Sequence, residues 1–194
     1  VAPDSFLYES KSKIYDYNFA NADALLTEAG WVDMDDDGVR EKDGLQRELT
    51  LRLLVNETTE TNARQEAAKL IENQLKLAGI KIEVVALPFS LTDSDSEYAE
   101  KLQSGDFDLA LTGFNLSRDT DLTELLAHGG KYNYGNYNNS AMSILADTVV
   151  QARDEAAART AASELQMRFT EDLPFITLYF RTNSIVYSSE IKGI

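Results

Sequence analysis

The sequence predicts an α/β fold with a mostly parallel central sheet flanked by helices. Three observations predict it. Segments with strand periodicity alternate along the chain with segments of helical periodicity, the order expected of such layers. Of the 194 residues 43% are hydrophobic, enough for one sizeable core. No internal repeat or low-complexity linker divides the chain, so residues 1–194 read as a single α/β domain.

The elements follow in order. Residues 1–19 are rich in Tyr and Phe, lack periodicity and read as an extended entry segment. "NADALLTEAG" predicts a short helix that Gly30 stops. The acidic stretch "DMDDDGVREKDG" comes next. Leu49, Leu51 and Leu53 then alternate with Thr50 and Arg52 in a strand pattern. From Thr61 to Gly79 the apolar positions Ala63, Ala67, Leu70, Ile71, Leu75 and Ala78 form one helical stripe facing a core. "IKIEVVAL" predicts a strand, Ser96 to Ser104 a helix, and Phe107, Leu109 and Leu111 another alternating strand. A polar stretch from Gly113 to Asn139 contains one short helix, whose start Asp121 and Glu124 flank with capping-box spacing. Two helices are expected at about 141–152 and 155–172, the second with Ala158, Ala162, Leu165 and Phe169 on one face. "PFITLYF" is apolar on both faces and predicts a buried strand, with "SIVYS" one more.

Composition excludes several classes of function. Lys plus Arg number 18 and Asp plus Glu 33, a net charge of −15, which repels nucleic acid and anionic membrane surfaces. With no cysteine there is no disulfide, thiol nucleophile or zinc–thiolate site. No apolar run reaches the roughly 18 residues of a membrane span. No signal peptide is visible. The chain starts at Val1 without an initiator Met and stops soon after a strand-like segment, so it reads as a fragment.

Catalytic signatures are lacking. His128 is the only imidazole and reads as a polar helix-end residue, and no G-x-S-x-G elbow accompanies it. Neither a phosphate-binding G-x-x-x-x-G-K-[ST] loop nor a G-x-G-x-x-G fingerprint occurs. The expectation is a protein that is not an enzyme and needs no cofactor.

The acidic stretch poses a metal question. Asp33, Asp35 and Asp37 occupy positions 1, 3 and 5 of an EF-hand-like loop, with Gly38 at position 6, Val39 at 7 and Glu41 at 9. Position 12 needs a bidentate Glu and carries Gly44. The loop also exits into a strand instead of a helix. A turn stabilised by Asx-type hydrogen bonds is the expectation, and a weak calcium site on Asp33, Asp35 and Asp37, within a calcium-dependent structural or adhesion module, is the alternative. The stretch "GFNLSRDTDLTELLAHGGKYNYGNYNNSAM" holds the better candidates. Aromatic walls with a few placed polar groups make ligand sites, and here Phe114, Asn115, Ser117, Arg118, Asp119, Asp121, Tyr134 and Tyr137 supply both.

These strings resemble a known family. "LLTEAGWVDMDDDGVREKDG…LTLRLLV", "LAGIKIEV", "SGDFDLALTGF", "NYGNYNN", Arg159 and "LPFITLYF" resemble, in order, the C-terminal lobe of family 5 extracellular solute-binding proteins, from Tyr15 to Ile194. That family delivers peptides, nickel complexes or oligosaccharides to ABC importer permeases. The resemblance implies one lobe of a periplasmic-binding-protein type II fold, its N-terminal lobe lying outside this sequence. It implies an extracytoplasmic protein, periplasmic or a cell-surface lipoprotein, monomeric, closing by a hinge around a small-molecule or peptide substrate. In peptide-binding members, residues after the G-[WF] pair run along the substrate backbone, here Asn115 onward. The place of the amine-binding Asp is taken by Ser117, and Ser143 stands where members often carry Asp, two departures from the pattern.

Overall fold

The computed structural model describes residues 1–42, 47–57, 62–89, 96–114 and 121–180. Its centre is the three-stranded sheet of β3 (Thr50–Glu57), β4 (Lys81–Pro88) and β5 (Leu109–Leu111), in the order β4-β3-β5 with both pairings parallel. The helix α2 (Ala63–Leu77) connects β3 to β4, and α3 (Glu97–Ser104) lies between β4 and β5. The predicted α/β class with a parallel sheet is what the chain forms.

β3 explains the arrangement. Leu53, Leu54 and Val55 are all at most 2% exposed. Successive strand side chains point to opposite faces. Leu53 and Val55 therefore join Ala68 and Ile82 on one face, with Ile71 and Leu75 of α2 packed alongside. Leu54 joins Tyr98 and Leu102 of α3 on the other. A strand apolar on both faces needs a helix on each side and a neighbour on each edge. The register Leu53↔Leu109, Leu54↔Ala110 and Val55↔Leu111 supplies one edge and β4 the other.

Local chemistry sets the helix limits. Ser96 caps α3 by accepting from Ala99 N, and Lys101 donates to Asp106 at its far end. Asp106 also receives Arg52 of β3, at 2.7 Å. These two cations, Lys101 first, draw the Asp106 carboxyl down to about 2.

Ahead of the sheet stand α1 (Phe19–Glu28) and an antiparallel ribbon of β1 (Trp31–Val32) and β2 (Glu41–Lys42). Arg40 ties them to the layer. Its Nε donates to Ala78 O at 2.8 Å, its Nη1 to Trp31 O at 3.0 Å, and it pairs with Asp23 of α1. Gly79, at φ +76° after α2, leaves room for that side chain, since a Cβ there would lie 2.7 Å from Arg40 Cγ. A second, helical core follows the sheet. Leu125 and Leu126 of α4 (Thr123–Leu126), Met142 and Ala146 of α5 (Ser140–Val150) and Leu165 of α6 (Glu155–Asp172) form it.

Several expectations need correction. Leu70, assigned to the buried stripe, is 63% exposed, because the contact face of α2 centres on Ala68, Ile71 and Leu75. The third strand is shorter than predicted. Asp108 donates its N–H to Arg52 O and Phe107 its own to Gly105 O, so regular strand alternation starts only at Leu109. Phe107 consequently packs on the α3 side with Ala110, opposite Leu109. No capping box forms at α4. Asp121 Oδ1 accepts from Thr123 N, while Glu124 Oε2 turns forward to Lys131 N. The segment 174–180 forms no strand, and Ile176 is 75% exposed with Leu178 and Tyr179 also open. No described strand lies beside it, so Ile176, Leu178 and Tyr179 go uncovered, while Phe175 packs against the helical core and the Phe169 ring. The expected "SIVYS" strand lies outside the described residues.

Substitution of Leu54 tests the two-sided packing of β3. Leu54→Ala leaves a cavity in a fully packed layer and should lower the unfolding free energy by about 2–5 kcal/mol, read by urea denaturation. Leu70→Ala, on the exposed side of α2, should change it by less than about 0.5 kcal/mol.

Candidate functional site

In open parallel sheets, ligands collect beyond the carboxyl ends of the strands. Here that edge is formed by Asn56 and Glu57 of β3 and by Thr112, Gly113 and Phe114 after β5, which the register Val55↔Leu111 sets side by side.

An aromatic cluster covers this edge. The Phe114 ring lies 6.3 Å from that of Tyr134, stacked at 21°, and 5.6 Å from that of Tyr132, and Tyr132 meets Tyr134 edge-on at 6.4 Å. Lys131 Nζ stands 5.1 Å from the centre of the Tyr132 ring. Phe114 packs below onto the helical core and Tyr134 onto the sheet core, so the cluster bridges the two. Partial burial raises the Tyr134 phenol above its ordinary range.

Beneath the aromatics lies a polar pair. Asn56, 4% exposed, accepts at Oδ1 from Arg64 Nη1, at the start of α2. Tyr98 donates its hydroxyl to Leu111 O at 2.8 Å. Burial lifts the Tyr98 phenol and the Arg64 charge opposes that rise; the guanidinium lies over Gly113, where a Cβ would come within 2.7 Å of Arg64 Nη2.

The loop carrying the tyrosines is stapled from within. Asn133 donates to Ala127 O at 2.9 Å and to Tyr137 O at 2.7 Å, and accepts from Tyr137 N at 2.9 Å. Asn139 caps α5 through Ala141 N and Met142 N. Its amide also donates to Asp172 Oδ2 at 2.7 Å, where Tyr137 Oη donates at 2.6 Å. Asp172 thus anchors the loop to the end of α6. Burial, then the Asp172 carboxylate, pushes the Tyr137 phenol up to about 12.

Of the candidate residues, the structure brings Phe114 and Tyr134 together. Tyr137 engages Asp172 with its hydroxyl, and Asp121 serves the start of α4. Asn115, Ser117, Arg118 and Asp119 lie outside the described residues. Sequence reading missed Asn56 and Arg64, eight positions apart in no recognised motif. A buried Asn closing the apolar run "LRLLVN" was the available signal.

The acidic turn is a hairpin between β1 and β2. Gly38 N donates to Asp33 Oδ2 at 2.9 Å, Val39 N to Asp37 Oδ1 at 2.8 Å and Asp37 N to Asp35 Oδ1 at 3.3 Å. The last two, each to an N–H two residues on, are the Asx-type bonds expected, and Asp36 adopts φ +61° to make the turn. One oxygen each from Asp33, Asp35 and Asp37 lies within 4.8 Å of the others. Asp33 Oδ1 is buried without a hydrogen-bond partner. Glu41, the position-9 residue, accepts from Met34 N instead. Gly44 lies outside the described residues.

Comparison with known proteins follows from this architecture. The family model described as "Bacterial extracellular solute-binding proteins, family 5 Middle" matches residues 1–136, which include the aromatic cluster. The oligopeptide-binding protein AppA of Bacillus subtilis is 26% identical over 186 residues, spanning 92% of this chain and 32% of AppA. The chain therefore spans about a third of the length of this relative. The solved structure of AppA in complex with a nonapeptide has a TM-score of 0.75 at 24% identity, covering 89% of this chain and 34% of that one. The oligopeptide-binding protein of Thermus thermophilus, complexed with a pentapeptide, reaches 0.77 at 19% identity, covering 93% and 32%. NikZ of Campylobacter jejuni, in complex with Ni(L-His), reaches 0.70 at 20% identity, covering 88% and 33%.

The loop anchor has a pH signature. The Tyr137 phenol is raised on folding, so its contribution to stability is complete below about 10 and is lost as pH climbs towards about 12. Unfolding free energy measured between pH 9 and 12 should fall across that window, and Tyr137→Phe should flatten the fall.

Proposed function

The chain belongs to family 5 of the bacterial extracellular solute-binding proteins, and from that membership we propose that it is the substrate-binding C-terminal lobe of an ABC importer receptor for peptides. The observation that carries the reading is the aromatic cluster of Phe114, Tyr132 and Tyr134 at the carboxyl edge of the parallel sheet. Ring faces beside backbone-rich strand ends suit an extended peptide, whose apolar side chains stack while its amides find polar partners. AppA and the Thermus protein, both solved with peptides, support the peptide class over the nickel complex held by NikZ.

The mechanism is hinge closure. Ligand lands on one lobe, and the other folds over it. The closed form gains because the ligand touches both lobes, and the permease distinguishes that form from the open one. The N-terminal lobe of the same protein supplies the opposing wall and the cover for the exposed apolar segment 176–180. The receptor works as a monomer outside the cytoplasm, in the periplasm or as a surface lipoprotein. Residues 1–194 form one domain of it. No catalytic step is involved. Among the described residues no helix is long and apolar enough to cross a membrane.

One lobe offers part of the contacts, so the chain alone should bind hexapeptides at about millimolar Kd. NMR titration should show saturable shifts centred on Phe114, Tyr132 and Tyr134, and Phe114→Ala should weaken binding by about tenfold, ~1.4 kcal/mol. Micromolar binding to this chain alone, or shifts confined elsewhere, would overturn the reading.

A second reading, a calcium-dependent module, is favoured by the convergence of Asp33, Asp35 and Asp37 oxygens and by the unpartnered Asp33 Oδ1. Calcium takes six to eight oxygens, and three carboxylates already engaged by backbone N–H groups are a poor start. Melting temperature should stay constant up to millimolar calcium. A rise of several degrees, abolished by Asp35→Asn with Asp37→Asn, would establish the calcium reading instead.

A further inference from the structure

At the opposite end of the sheet from the aromatic cluster, α1, the β1–β2 ribbon and the end of α2 border a groove of about 430 Å³. Ala78 and Gly79 in its wall lie just ahead of β4, whose first residue, Lys81, pairs with Thr50, the first of β3. The groove therefore opens at the amino edge.

Its walls divide by chemistry. Phe19 from the start of α1, Val32 of β1 and Leu77 from the end of α2 supply the apolar part. They are 44%, 43% and 66% exposed, so three separate elements leave large apolar side chains open onto one space. Asp23 and Asp33 supply carboxylates. Arg40 also lines the groove, but its guanidinium is engaged within the protein, by Ala78 O, Trp31 O, Thr27 Oγ1 and one oxygen of Asp23. Asp33 Oδ2 accepts from Gly38 N, and its Oδ1 is buried without a hydrogen-bond partner. Asp35 and Asp37 each place an oxygen within 4.8 Å of one on Asp33. Lys81, which feels the Asp37 charge, is taken by Glu48. Arg40 thus offsets one of four neighbouring carboxylates, and this end of the groove stays negative.

We propose that the groove binds a small organic ammonium ion, its apolar body on Phe19, Val32 and Leu77 and its N–H donors directed to Asp23 and Asp33. A carboxylate oxygen lacking a donor gains from a cationic one. A bare metal ion would leave the apolar walls uncovered, and an anion would meet the carboxylates. The volume lies within the range of small-molecule sites. The site is separate from the carboxyl edge and does not depend on what binds there.

Four probes test it on the full 194-residue chain by NMR titration at neutral pH: 2-phenylethylammonium, the neutral 2-phenylethanol, phenylacetate and methylammonium. 2-Phenylethylammonium should shift Val32, Leu77, Ala78 and Gly79 saturably and bind about tenfold tighter than 2-phenylethanol, the gain of a charge-assisted hydrogen bond. Methylammonium, without the apolar body, should bind about tenfold or more weaker than 2-phenylethylammonium. Phenylacetate should not bind, and Phe114 and Tyr134 should not shift with any probe. Asp33→Asn should erase the preference for the ammonium over the alcohol. Leu77→Ser, at an exposed position, should weaken both and keep the preference. The comparison of probes on the unsubstituted chain stands even where a variant fails to fold. Equal binding of the ammonium and the alcohol overturns the role of the carboxylates. Equal binding of methylammonium, or shifts spread over the acidic surface without saturation, overturns the site.

Discussion

The requirement that β3 be covered on both faces organises this molecule. Leu53 and Val55 point one way and Leu54 the other, and none tolerates water. Helices must therefore lie on both sides and strands on both edges. Once those four directions are closed, only the two ends of the strand remain open. One end is braced by the Arg52, Lys101 and Asp106 ion pairs, and the other runs into Asn56. The polar carboxyl edge is thus what a packing problem leaves over. The same leucines that build the core dictate where polar chemistry can meet solvent.

That edge is assembled from distant parts of the chain. Phe114 arrives on the exit of β5, Arg64 on the entrance of α2, and Tyr132 and Tyr134 on a loop held by Asn133, Asn139 and Asp172. The anchors keep the tyrosines in place without using their ring faces, since the staples are backbone and amide bonds. Pre-organised aromatic surface costs little ordering when a ligand arrives.

Much of the fold was legible because periodicity reports burial. The stripe of α6 reappears as Leu165 and Phe169 against the helical core with Ala162 buried, β4 lies within a residue of its predicted limits, and β3 starts as predicted but runs on from Leu53 to Glu57. Ser96 and Asn139 cap their helices through side-chain oxygens, a local contact that periodicity does not report. Periodicity failed where burial depends on something beyond the local pattern. Residues 174–180 have the apolarity of an interior strand, yet past Phe175 they lie exposed. Leu70 fits a helical stripe by spacing but falls off the contact face by one step. At the site, Phe114 and Tyr134 were visible as aromatics after a strand. Arg64 and Asn56 were not, because their meeting depends on how a crossover helix returns over its own strand.

The open segment at 176–180 also bears on how copies of this chain treat one another. An uncovered apolar stretch with free backbone groups is an invitation to edge-to-edge pairing. What opposes it is the acidity of the whole surface, a long-range repulsion between copies. That repulsion reaches about 10 Å in 0.1 M salt and only about 3 Å at 1 M. Ionic strength therefore acts as the gatekeeper of self-association, and the negative charge does for this chain what a cover over the segment would do by contact.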